Sequence, residues 1–263
     1  MFYSNILIIT YASETWEPNK GEMKKLNQIL DKILKRILMT PAATPREALY
    51  IETGLLDVET VMDAKRLNMM ARLNRSKSEL MATVLANPEC KWIKKTREIM
   101  NKYGIEPEDL TGPKEKTKFE INQSVSLEFR RKMTKDREER SKLNYFLEGK
   151  VIWKPEEPAE YMTKLTRKQA STIFKARTRM IKVKGNYKNG FPDLTCRACN
   201  IEPETQVHVL NECKKLHPDN STSTKNSDQL DKNDLFNENP DALRANALKI
   251  CEIYENLTKD CDK

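Results

Sequence analysis

Met23, Leu26, Leu30, Ile33, Leu34 and Ile37 recur at helical spacing. Intervals of three and four residues place all six on one side of an α-helix. Asn19, with Glu22 three residues on, supplies a capping box at its start, and Pro41 closes it. The pattern then repeats with variations. Thr44-Pro45-Arg46-Glu47 opens a short helix that stops at Gly54. Asp57 caps a third helix whose Val58, Met62, Met69 and Leu73 share a face, while Lys65, Arg66 and Arg72 point elsewhere. Further helices are expected near 77–85 and over 91–103, the latter ended by Gly104. Only 7 of the 263 residues are glycine, too few for the turns and phosphate loops of a sandwich, barrel or Rossmann sheet. The expected class is mainly α, with one exception: Ile6-Leu7-Ile8-Ile9-Thr10-Tyr11 has the β-branched composition of a short buried strand.

Residues 1–105 therefore read as a compact helical unit behind a strand. Residues 106–160 read as a polar linker with Pro107 and Pro113, followed by a highly charged connecting helix whose apolar face is thin (Phe119, Val125, Phe129, Met133, Leu143, Phe146, Leu147) and solvated. Residues 161–217 carry a basic segment and three of the six cysteines. Residues 218–240, rich in Asn, Ser, Thr, Asp and Lys, are expected to be disordered, and a last helix occupies 241–263.

Charge is distributed unevenly along this layout. The whole chain has 47 Lys+Arg against 39 Asp+Glu, a net of +8. Residues 218–263 hold six basic and ten acidic side chains, which leaves 41 basic and 29 acidic in the first 217. A +12 body with a −4 tail suits a polyanionic partner, nucleic acid first, although a solvated Lys/Glu-rich helical surface gives the same arithmetic. No run reaches the roughly 18 residues of a membrane helix, and the apolar start lacks a basic segment before it or a cleavage site after it. The chain is thus expected inside the cell, in nucleus or cytoplasm, with reduced thiols and no membrane partner.

Four of the eight Cys and His residues fall within 18 positions, as Cys196-x2-Cys199-x8-His208-x4-Cys213. A C-x2-C turn puts two thiolates on one side of an ion, and a His and Cys four apart complete a tetrahedron. Three thiolates and one imidazole leave no open position, so the expected cofactor is a structural Zn²⁺. His217 competes as a ligand but follows Cys213. Cys90, Cys251 and Cys261 read as ordinary core or tail thiols. Arg177, Arg179, Lys182 and Lys184 lead into the cysteines, as cations often do in small nucleic-acid-binding zinc modules. Tyr187 and Phe191 are either stacking faces for single-stranded bases or cover for the module's apolar side.

Tyr11-Ala12-Ser13-Glu14-Thr15-Trp16, the Leu/Ile-rich helix, Ile37-Leu38-Met39-Thr40-Pro41, Thr44-Pro45-Arg46-Glu47-Ala48-Leu49 and Glu52-Thr53-Gly54-Leu55-Leu56 together resemble the thumb of non-LTR (LINE-type) retrotransposon reverse transcriptases. Leu165-Thr166-Arg167, Lys175-Ala176-Arg177-Thr178 and the Cys/Cys/His/Cys set with Glu204-Thr205 resemble the C-terminal zinc knuckle of the same polyproteins, in the same order. The chain departs in having Ala12 where the family tends to have Gly. The resemblance implies RNA or DNA as partner, with other retrotransposon proteins as further candidates. It implies duplex contacts by Lys65, Arg66 and Arg72, and contacts to RNA or target DNA by Arg167, Lys175, Arg177, Arg179, Lys182 and Lys184.

The family's polymerase holds catalytic Mg²⁺ with palm aspartates, typically in an Asp-Asp turn, and this sequence contains no Asp-Asp pair. Mg²⁺ is therefore expected only in a full-length parent enzyme. The expected function is that of a truncated nucleic-acid-binding fragment without its own polymerase site. Two alternatives stand beside it: one part of an active RNA-directed DNA polymerase whose palm comes from a longer product, and a zinc-stabilised helical adaptor for protein partners.

Overall fold

The computed structural model describes residues 6, 8–76, 78–87, 89–134, 141–149, 157–217, 230 and 232–259. These are mainly helical. In chain order the helices are α1 (Lys20–Ile37), α2 (Arg46–Thr53), α3 (Val58–Asn74), α4 (Glu79–Ala86), α5 (Lys91–Tyr103), α6 (Lys114–Thr134), α7 (Ser141–Glu148), α8 (Glu160–Lys164), α9 (Arg167–Arg177), α10 (Lys232–Leu235) and α11 (Pro240–Lys259).

The expected N-terminal strand is absent from the described residues. Ile6, Ile8 and Ile9 are helical, and the Thr10 amide donates to the Ile6 carbonyl at 3.0 Å. The reason is pairing. A strand needs a neighbour to satisfy its backbone, and none of the described residues forms one, so the run closes its hydrogen bonds locally.

The chain packs as two units, whose boundaries do not follow those read from the sequence at 105 and 160. The first takes in the described residues of 1–33, 54–136 and 153–157. Here Asp57 caps α3 by accepting from the Thr60 amide at 2.9 Å. Gly104 ends α5 at φ 62°, and the Ile105 amide reaches back to the Met100 carbonyl. Leu67 and Ala71 of α3, Ile99 and Tyr103 of α5 and Ile121 and Val125 of α6 form one core with Ile105 and Leu110.

Residues 106–134 thus depart from the solvated connector expected of them. Leu110 is fully buried in a 3₁₀ turn, and Ile121, Val125, Phe129 and Met133 bury a strict four-residue repeat. A stripe that narrow suffices because α6 lies mainly along α3, with α5 and the 3₁₀ turn at 107–110 touching it as well. The basic run at 135–140 lies outside the described residues.

The second unit takes in the described residues of 34–53, 137–152 and 158–263. Its core joins Tyr161, Leu165, Ile173 and Ala176 of α8–α9 to Leu243, Ala247, Ile250 and Ile253 of α11, and extends to Cys196, Val209, Leu210 and Cys213. Thr166 and Gln169 form a capping box at the start of α9. Arg167 then donates to the carbonyls of Arg36 and Ile37, both at 2.8 Å, and so satisfies the open C-terminal end of α1. Of the segment expected to be disordered, 218–229 and 231 lie outside the described residues, whereas Leu230 is buried and 232–235 are helical. Cys261 also lies outside them.

Candidate metal centre and basic surfaces

A tight loop and a π-turn bring the four zinc-type residues together. The Cys196 amide donates to the Glu202 carbonyl at 2.7 Å, the Asn200 amide returns to the Cys196 carbonyl, and Asn200 turns the chain at φ 54°. An isolated antiparallel bridge, Thr195 to Pro203, closes the loop. His208 opens a single π-turn over His208–Glu212, in which the Cys213 amide reaches the His208 carbonyl at 2.8 Å. That i→i+5 bond swings Cys213 back over His208.

The ligand atoms of Cys196, Cys199, His208 and Cys213 all lie within 4.8 Å of one another, so the set could hold a metal ion. Cys196 Sγ is 3.9 Å from Cys213 Sγ, and Cys199 Sγ is 3.4 Å from His208 Nε2. Zinc–ligand bonds of about 2.0–2.3 Å in a tetrahedron place ligand atoms about 3.5–3.8 Å apart. These two separations are compatible with a structural zinc. His208 Nδ1 is 3.0 Å from Glu202 Oε2, on the side away from the thiols, although without the in-line geometry of a hydrogen bond. A carboxylate behind a ligating imidazole fixes which nitrogen faces the metal. His217 does not join: its Nε2 lies 3.1 Å from the Val209 carbonyl.

The thiols begin from unequal positions. Burial pushes the Cys196 thiol up to about 11. At Cys199 burial also opposes ionisation, but the Glu202 and Ile201 amides and His208 outweigh it and bring the thiol down to about 6. One sulfur is thus ready to ligate near neutral pH, while a metal has to displace the proton from the other.

Glu204 braces the loop from behind. Its fully buried carboxylate takes the Arg197 guanidinium through both oxygens, at 2.8 and 2.6 Å, and also accepts from the Arg197 and Lys184 amides. Burial raises its pKa, but the bonds from Arg197 prevail and hold it below the usual carboxylate range. Beside it, the Thr205 hydroxyl oxygen accepts from the His208 amide at 3.0 Å.

Of the nine cations expected to meet nucleic acid, three belong to the first unit and six to the second, and two of the nine are buried. Arg66 is buried: Nη2 donates to the Trp16 carbonyl at 3.2 Å, and the guanidinium lies 5.8 Å from the Trp92 ring centre. Arg177 is buried too, paired with Glu52 at 2.8 Å and donating to the carbonyls of Leu235 and Asn237. Neither guanidinium is therefore free to meet a phosphate: Arg66 is held under Trp16 and Trp92, and Arg177 by Glu52 and two backbone carbonyls, partners distant in sequence that local spacing does not reveal. Lys184 spends its ammonium on the Thr195 carbonyl and Asp193, Arg167 on the end of α1, and Arg179 lies 4.0 Å from the Tyr145 ring centre.

Lys65 and Arg72 do come together, in a cleft of about 890 Å³ in the first unit, although the Lys65 ammonium also donates to the Thr10 carbonyl at 2.6 Å. Three cations that sequence reasoning missed line it as well: Arg75, Lys114 and Lys118. Glu14 is the single acidic residue among its walls. Arg75 Nη1 is buried with no hydrogen-bond partner among the described residues. The signal was present in part, since Arg72 and Arg75 are one helical turn apart, as are Lys114 and Lys118. Nothing in the sequence said that the two pairs meet. Lys175 and Lys182 line a second cavity, in the other unit.

No protein-family model, curated protein or solved structure matches this chain. No helix of the described residues is long and apolar enough to cross a membrane.

Proposed function

We propose that the chain binds nucleic acid, as the resemblance to the thumb and zinc-knuckle end of LINE-type reverse transcriptases implies. The observation carrying this reading is the cleft of the first unit. Lys65, Arg72, Arg75, Lys114 and Lys118 converge on a concave surface with one acidic residue, Glu14, and a concave wall with a large positive excess concentrates its field on a polyanion. Phosphate contacts of this kind position a duplex without reading its sequence. In the second unit, Cys196, Cys199, His208 and Cys213 are proposed to hold a structural Zn²⁺, which supplies folding free energy where the loop has little core of its own.

Binding of a short duplex should weaken steeply with salt, since each neutralised phosphate contributes roughly −0.9 to the slope of log K against log salt. With five cations in the cleft a slope of about −4.5 is expected. The variant Arg75→Glu/Lys118→Glu should lower the affinity at least tenfold and reduce the slope by about 2. Fluorescence anisotropy at several salt concentrations measures both, and a flat salt response would end the reading.

A further inference from the structure

The second cavity, about 1060 Å³, lies within the second unit and has walls of a different character. Tyr187, Phe191 and Tyr254 contribute rings, Met180, Ile181 and Ile250 contribute aliphatic surface, and Lys168, Lys175 and Lys182 contribute charge. The cavity is neither a purely basic face nor a closed apolar void. Two of the rings are anchored. The Tyr254 hydroxyl donates to the Lys182 carbonyl at 2.7 Å, and the Tyr187 hydroxyl donates to the Met180 carbonyl at 3.1 Å. Both phenols are therefore tied to the same short segment, which limits the rotation that a stacking partner would otherwise have to freeze.

The lysines are balanced unevenly. Lys168 stands 3.9 Å from Glu255, the single acidic residue among the walls. Lys175 is half-buried, and loss of water around it pulls its pKa below the ordinary lysine value. Lys182 is exposed at the edge. The groove thus retains a positive excess next to aromatic and thioether surface. An anion with flat, uncharged faces between its charges complements it, and single-stranded nucleic acid has that constitution. A duplex does not, because its base faces are already stacked.

We propose that this groove takes a short single-stranded nucleic-acid segment, its bases against Tyr187, Phe191 and Tyr254 and its phosphates against Lys175 and Lys182. The inference extends the nucleic-acid reading to a second site and uses residues distinct from those of the duplex cleft.

Cys251 lines the same groove, its thiol 3.5 Å from the Thr172 hydroxyl, and provides a built-in reporter. The full chain would be alkylated with iodoacetamide with and without an eight-nucleotide oligouridylate, and modification at Cys251 and at Cys90 followed by mass spectrometry. Cys90 belongs to the first unit and serves as the internal reference. Saturating oligouridylate is expected to slow Cys251 at least fivefold and leave Cys90 unchanged. Phe191→Leu should weaken oligouridylate binding about 5- to 100-fold, given the usual worth of one base–aromatic stack. Lys175→Gln/Lys182→Gln should lower the magnitude of the salt slope by about 1.4, at roughly 0.7 per single-strand phosphate. Neither variant should alter affinity for a duplex. Thermal melting of each variant separates lost binding from lost folding.

Equal reactivity of Cys251 with and without oligouridylate overturns the proposal, and if duplex binding persists the cleft reading survives it. Loss of protection by oligouridylate together with protection by an acidic helical peptide would assign the groove to a protein partner and overturn it as well. Failure of both duplex and single strand to bind overturns both readings together.

Discussion

Arg177 shows how little a residue's identity says about its task. As one cation in a basic run it reads as a phosphate contact; in the fold it neutralises Glu52 at 2.8 Å between the rings of Tyr161 and Phe236, 4.5 and 5.2 Å from the guanidinium. Removing one partner of a buried pair leaves the other charged and without compensation. Arg177→Ala should therefore cost about 3–5 kcal/mol in urea unfolding, and Arg177→Met/Glu52→Leu should recover most of it. Ala12 offers the opposite case. It sits at φ 51°, a left-handed conformation that Cβ resists, at the position where the resembling family tends to have Gly. Relief of strain outweighs the greater chain entropy of glycine, so Ala12→Gly should raise stability by roughly 0.5–1 kcal/mol, read as a higher Tm.

Helices in this chain are joined through their ends as much as through their faces. Asp57 caps α3 and is fully buried, yet its carboxylate also receives Lys132 of α6 at 2.9 Å. Burial alone would raise its pKa. Lys132 and the Thr60 bonds more than reverse that and hold it below the ordinary Asp value. A carboxylate depressed in the folded state contributes stability at pH values above its unfolded pKa, and that contribution is lost as pH falls through the folded one. The melting temperature should therefore drop as pH falls below about 4, the unfolded value for Asp. Lys132→Met should lower Tm at pH 7 and flatten the acid limb, as differential scanning calorimetry across pH would show.

At the scale of the molecule, the candidate metal site and the helices of the second unit share one core. The π-turn that carries His208 contributes Val209 and Leu210 to the same core as Leu243, Ala247 and Ile250 of α11. Chelation of the proposed ion should therefore strip hydrogen-exchange protection from 194–213 first and then weaken it in α11, with α3 and α6 little changed. Elemental analysis should find one Zn per chain, falling to well under half in Cys196→Ser. Unaltered exchange after chelation would show that the loop stands without metal.

Much of this was legible in advance, and the reasons for success and failure are physical. Helix periods, the Asn19–Glu22 box, the Gly104 stop and the Cys/Cys/His/Cys spacing depend on neighbours a few positions apart, and the amino-acid order by itself determined them. The short apolar run at 6–11 went the other way, because strand and helix differ there only in whether a distant partner exists. Which arginines are buried, which helix receives the stripe of α6, and which five cations face one cleft were decided only by the tertiary structure. Burial, ion pairing and convergence of charge are relations between segments tens of residues apart, and local order carries no record of them.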